Sequence, residues 1–111
     1  MSAIGITFEK NKLTCGNLSK IFPDNIEQVL VTHSGILVLF EFARLRNENI
    51  FLLNPQLNVI WQIQALDIQQ PNRPFTSIWE EGGKFMAYNA TGWECEIDLK
   101  EGRANGVLFV K

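Results

Sequence analysis

Histidine is almost missing from this chain: His33 is the only one in 111 residues. Imidazole is the commonest general base and metal ligand, so little of that chemistry is on offer. Cysteine is also scarce, with Cys15 and Cys95 standing 80 positions apart (95 − 15). A zinc site needs three or four Cys, His or carboxylate ligands at close spacing, and these residues do not supply one. No D-x-D-x-D run gathers oxygens for calcium. Neither G-x-G-x-x-G nor G-x-S-x-G occurs. Gly82-Gly83-Lys84 lacks the earlier glycine, the following Ser or Thr and the helix of a phosphate loop, so it reads as a hairpin turn. The expectation is no metal, no cofactor and no catalytic residue.

Charge of one sign is lacking too. Ten basic and twelve acidic side chains leave a net charge of −2. The one local basic cluster, Arg44-Leu45-Arg46, is too small for a nucleic-acid footprint. The longest apolar run, Ile36 to Phe40, falls far short of the roughly 20 residues that span a bilayer. Met1 to Gly5 has neither the basic nor the apolar stretch of a secretory signal. A cytoplasmic location is expected, with Cys15 and Cys95 as reduced core thiols. The sequons Asn17-Leu18-Ser19 and Asn89-Ala90-Thr91 then carry no meaning.

What the chain does have is aromatic mass and internal repetition. Eight Phe and three Trp against one Tyr must be buried or must cover a partner. Thr32-His33-Ser34-Gly35 before Ile36 to Phe40 is echoed by Trp79-Glu80-Glu81-Gly82-Gly83 before Lys84 to Tyr88. Asn49 to Asn54 is echoed by Trp93 to Asp98, and Val59-Ile60-Trp61 by Val107-Leu108-Phe109. The offsets are 48, 44 and 48 (83 − 35, 98 − 54, 107 − 59). That spacing is close to the roughly 40–45 residues of a four-stranded propeller blade.

No 3.6-residue stripe is long enough for a substantial helix; one short turn after Asp24 is the sole helical candidate. About ten short strands joined by short links predict antiparallel neighbours. The expected fold is all-β in a single domain, 1–111: an N-terminal hairpin at 1–22 and two four-stranded blade-like units at 28–64 and 75–111. A polar, proline-bounded surface loop at 65–74 joins the units. Ile36 to Phe40, apolar without alternation, should be buried on both faces. Two blades do not close a propeller ring. The units must fold on each other as a sandwich or distorted barrel, or edge strands must recruit further copies into a homo-oligomer.

Asn49 to Asn54 with Val59-Ile60-Trp61-Gln62-Ile63, and Phe85 to Asp98 with Gly102, resemble repeats of quinoprotein-type propellers. Residues 28–111 are similar to short bacterial proteins with such a pair of units, some of which resemble toxin-immunity proteins. The first turn, Pro55-Gln56-Leu57-Asn58, departs from the pattern by lacking its glycine. The resemblance implies a fold and brings over no catalytic residue and no cofactor site.

Candidate residues are few. His33 and Ser34 are neighbours in a predicted turn, and neighbours on extended chain point apart. Period 2 puts Glu94, Glu96 and Asp98 on one strand face, either a solvated face or an acidic docking stripe. Trp61 and Trp79 read as core; Trp93, beside the Thr91-Gly92 turn, is the aromatic best placed for exposure. The candidate partner-binding set is Glu80, Glu81, Trp93, Glu94 and Glu96. The function expected is non-enzymatic binding of another protein. Its alternatives are an immunity-type inhibitor that plugs a toxin's basic cleft, and a carboxylate-based hydrolase or carbohydrate-binding protein using Trp93.

Overall fold

Among the described residues every element is a strand, and each sheet is a plain meander. The computed structural model describes residues 5–41, 47–64 and 73–109. Strands β1 (Ile6–Glu9), β2 (Lys12–Cys15) and β3 (Leu18–Ile21) form the first sheet. Strands β4 (Ile26–Thr32), β5 (Gly35–Phe40), β6 (Ile50–Leu53) and β7 (Val59–Gln62) form the second. Strands β8 (Phe75–Glu81), β9 (Lys84–Asn89), β10 (Trp93–Asp98) and β11 (Arg103–Phe109) form the third. Pairing is antiparallel throughout, as links of this length require.

The second sheet is the middle layer, and this explains the unbroken apolar run of β5. Ile36, Val38 and Phe40 face the first sheet, in a core with Leu13, Cys15, Phe22, Leu53 and Leu57. Leu37 and Leu39 face the third, in a core with Ile50, Leu52, Ile63, Ile78, Phe85, Ala87 and Ile97. A strand sandwiched between two sheets needs apolar side chains at both phases of its period. Phe22, Phe40 and Phe51 meet edge-on in the first core, with ring centroids 5.0–6.5 Å apart.

Polar side chains tie the second and third sheets together. Gln28 of β4 acts as a peptide mimic: its Oε1 accepts from the Ile78 backbone N–H at 2.8 Å, and its Nε2 donates to the Ile78 carbonyl at 3.2 Å. Trp61 of β7 donates its Nε1–H to the Leu99 carbonyl at 2.6 Å. Buried Asn49 donates to the carbonyls of Phe40 and Phe75 and accepts from the Phe75 N–H.

The repeat holds in register. Ile26 pairs with Phe40 and Gln28 with Leu39, with a bulge between them. Phe75 pairs with Asn89 and Ser77 with Tyr88, again with a bulge between them. The offset is 49 at both ends (75 − 26 and 89 − 40). The sequence echo at 48 is therefore one residue out, because Gly35 opens its strand whereas Gly83 closes its turn. Leu53 and Ile97 hold equivalent places, at the expected offset of 44. The Val59–Val107 echo is not structural: Trp61 pairs with Leu52 while its counterpart opposite Glu96 is Asn105.

Three expectations need correction. The N-terminal hairpin has a third strand, Leu18–Ile21, whose mixed pattern hid it. The first unit's opening strand starts at Ile26 rather than at residue 28. No helical turn follows Asp24; Pro23 and Asp24 form a bend. Of the two packings expected, the described sheets stack face to face and do not close into a barrel. In the 54–58 turn, which lacks a glycine, the left-handed residue is Leu57, φ +67°, and its side chain is buried in the first core. The Arg44-Leu45-Arg46 cluster and most of the expected surface loop at 65–74 fall outside the described residues.

Cys15 and Cys95 are both free and buried, and the middle sheet lies between them. Burial pushes the Cys95 thiol up from its ordinary 9.0 to about 11. The unfolded chain therefore loses this proton first, so the contribution of this thiol to stability is constant below pH 9 and falls as pH rises from 9 towards 11. Full ionisation corresponds to a loss of about 2–3 kcal/mol. Urea midpoints measured between pH 8 and 10.5 should fall, and Cys95→Ala should flatten that fall. An unchanged pH slope in the variant would refute this assignment.

Candidate binding face and groove

The outer face of the third sheet is set by what its inner face buries. Ile78, Phe85, Ala87, Cys95 and Ile97 point inward, so their alternate neighbours point outward. These include Trp79 and Glu81 on β8, Lys84, Met86 and Tyr88 on β9, and Glu94, Glu96 and Asp98 on β10. Cross-strand register joins them into rows: Trp79–Met86–Glu96 and Ser77–Tyr88–Glu94. Directly opposed residues share a face and touch. Met86 is buried although no described strand packs over this face, and Trp79 and Tyr88 are half-buried. The Trp79 Nε1–H donates to Glu81 Oε1 at 3.0 Å, which steadies the indole. Lys84 Nζ lies 3.8 Å from Glu96 Oε1, with both side chains substantially exposed.

The equivalent face of the second sheet is the one the third sheet covers. Offset 49 matches Leu30 to Trp79, Leu37 to Met86 and Leu39 to Tyr88. Leu30, Leu37 and Leu39 all pack in the core between those two sheets. The opposite end of the stack is different. The outer face of the first sheet carries Thr7, Thr14 and Ser19 in one row and Glu9, Lys12 and Ile21 in the next. That end thus mixes small polar side chains with Glu9, Lys12 and the exposed Ile21, whereas the other carries aromatic side chains rimmed by carboxylates.

A groove of about 440 Å³ runs from the lower part of that face to the seam with the second sheet. His33 and Ser34 form one wall, and Lys84, Glu96, Asp98 and Lys100 contribute charged groups of both signs. Thr32 shapes the turn: its Oγ1 accepts from the N–H of Ser34 and of Gly35, each at 3.0 Å. The His33 ring lies 5.9 Å from Phe85, tilted against it. Asp98 Oδ1 accepts from the backbone N–H of Lys100 and of Glu101, so this carboxylate organises its own turn.

The sequence-derived set is split by this geometry. Glu81, Glu94 and Glu96 share the outer face. Glu80 pairs with Phe85 at the end of β8 and lies exposed on the inward phase. Trp93 turns the other way, packs against the inter-sheet core and covers Gly106. A site combining Trp93 with Glu94 and Glu96 is not assembled, because adjacent strand residues face opposite ways. Trp79, Met86 and Tyr88 are the residues that sequence reading missed. Period 2 through Trp79-Glu80-Glu81 and Lys84 to Tyr88 carries the signal, but it stays silent until one face is known to be uncovered. Among the described residues no group of three or more His, Cys, Asp or Glu is placed to hold a metal. No helix among them is long and apolar enough to cross a membrane.

A family model described as Domain of unknown function (DUF7957) matches residues 3–108. No curated protein and no solved structure matches the chain.

Proposed function

This chain belongs to the DUF7957 family, and we propose that it is a non-enzymatic module that binds another protein through the outer face of its third sheet. The observation carrying this reading is the unequal ends of the stack. A sheet face bearing Trp79, Met86 and Tyr88 matches, residue for residue, a face that is covered one layer away. Half-buried aromatic side chains in a polar rim are typical anchors of protein interfaces. In this reading the protein works in the cytoplasm with its thiols reduced. The experiment is affinity capture from the native cell with the intact chain, read by mass spectrometry. Trp79→Ser and Tyr88→Ser should lose the captured partner, whereas Thr7→Ala and Thr14→Ala should keep it. The reverse pattern, with all four proteins folded by circular dichroism, would refute the reading.

The carboxylate surplus on the same face favours a narrower version, an immunity-type inhibitor that occupies a toxin's basic cleft. Its mark would be rescue of cells that express such a toxin, lost on reversing the charge of Glu94 and Glu96.

A further inference from the structure

Resting on the binding reading above, we infer that the occupant of the third sheet's outer face is a different protein presenting a flat β-surface with cationic side chains, and not a second copy of this chain. The flatness follows from the face itself. It is an open four-stranded sheet whose equivalent in the second sheet is covered by another sheet. Sheets stack face to face about 10 Å apart, with side chains interdigitating.

The charge of the occupant follows from counting the face. Outward-facing carboxylates are Glu81, Glu94, Glu96 and Asp98; the facing cations are Lys84 and Arg103, the latter opposite Asp98. Four against two leaves an excess of two negative charges. A symmetric dimer through this face would set one such excess against another, which like-charge juxtaposition opposes. Head-to-tail stacking fares no better: the far end carries Thr7, Thr14, Ser19 and Ile21 with Glu9 and Lys12, whose charges cancel, so it brings no net cation to Glu94 and Glu96. A cationic sheet satisfies both features: its apolar side chains cover the aromatic row, and its ammonium or guanidinium groups meet Glu94 and Glu96.

Lys84 is the internal competitor. Its ion pair with Glu96 is long, and the two side chains are 64% and 41% exposed. Exposed pairs of this kind are weak, so an incoming cation exchanges with Lys84 at little cost. Removing Lys84 should then tighten binding.

The probe is a synthetic two-stranded hairpin peptide with arginine and tyrosine alternating on one face. Its control replaces each arginine by glutamate. Amide and indole resonances of the full-length protein are followed during titration, and its solution mass is measured in parallel. Shifts should centre on Trp79, Met86, Tyr88, Glu94 and Glu96, with the arginine hairpin only. Glu94→Gln with Glu96→Gln should weaken binding at least fivefold, and Lys84→Met should strengthen it by roughly two- to fivefold. Equal binding of the glutamate hairpin overturns the inference, as does an absence of shifts with the arginine hairpin. So does a dimer that Trp79→Ser dissociates. A captured cellular partner that is lost in Trp79→Ser but survives the double glutamine variant would refute the cationic occupant and leave the binding module standing.

Discussion

Replacing Asn49 by leucine should lower the unfolding free energy by about 3–5 kcal/mol, the largest single effect expected in this protein. Asn49 is fully buried and precedes β6. Its Nδ2 donates to the Phe40 carbonyl at 2.8 Å and to the Phe75 carbonyl at 2.9 Å. Its Oδ1 accepts from the Phe75 N–H at 3.1 Å. Phe40 ends β5 and Phe75 begins β8, so one amide locks the start of the third sheet onto the second. Leucine is of similar size and fills the space, yet it leaves two carbonyls and one N–H buried without these partners. Each orphaned group costs about 1–3 kcal/mol. A domain of this length is worth about 5–15 kcal/mol in total, so the variant should sit near the edge of folding. Denaturant titration should show a much lower midpoint with an unchanged slope. A midpoint shift worth less than about 1 kcal/mol would mean that the clamp contributes little.

Gly102→Ala is expected to cost about 2–5 kcal/mol through two separate causes. Gly102 closes the β10–β11 turn at φ +72°, where a Cβ costs roughly 1–2 kcal/mol. Its missing side chain is also filled: a Cβ built there would lie 2.8 Å from the Trp61 ring, closer than real contacts allow. The indole cannot move freely, because its Nε1–H is held by the Leu99 carbonyl at 2.6 Å, and the chain returns through a Gln64 N–H bond to the Gly102 carbonyl. Forcing extra volume into such a contact costs about 1–3 kcal/mol. The two causes separate in a double-mutant cycle with Trp61→Leu. The steric part should vanish in that background, whereas the backbone part should remain. Strict additivity would rule out the Trp61 contact as a cause.

These two residues show where sequence reading stops. Asn49 reads as an ordinary polar residue opening a strand, since its partners lie 9 and 26 positions away. Gly102 is legible as a turn glycine, but the ring seated on it belongs to Trp61 in another sheet. Trp61 was expected in the core and packs partly buried against it. Trp93 was expected nearer the surface, and the same local pattern puts it against the inter-sheet core, because Cys95 and Ile97 share its phase. The sequence echo at offset 48 sets Trp79 against Val31, whereas the strand register at offset 49 makes Leu30 its counterpart, and that one-residue difference hides the outward aromatic side chains.

The all-β class, the meander order and most strands follow from local signals alone. Hydrophobic period, turn residues and link length act within a few residues of each other and need no knowledge of the rest of the chain. The double burial of β5 was also legible, because a strand covered on both sides must be apolar at every position. The third strand of the first sheet, the layering of three sheets and the choice of which outer face stays open belong to tertiary structure. An outward phase with Trp79, Met86 and Tyr88 is written in the chain just as an inward one is. Only the stack decides which faces are covered, since period 2 distinguishes two sides of a sheet without saying what lies beyond either.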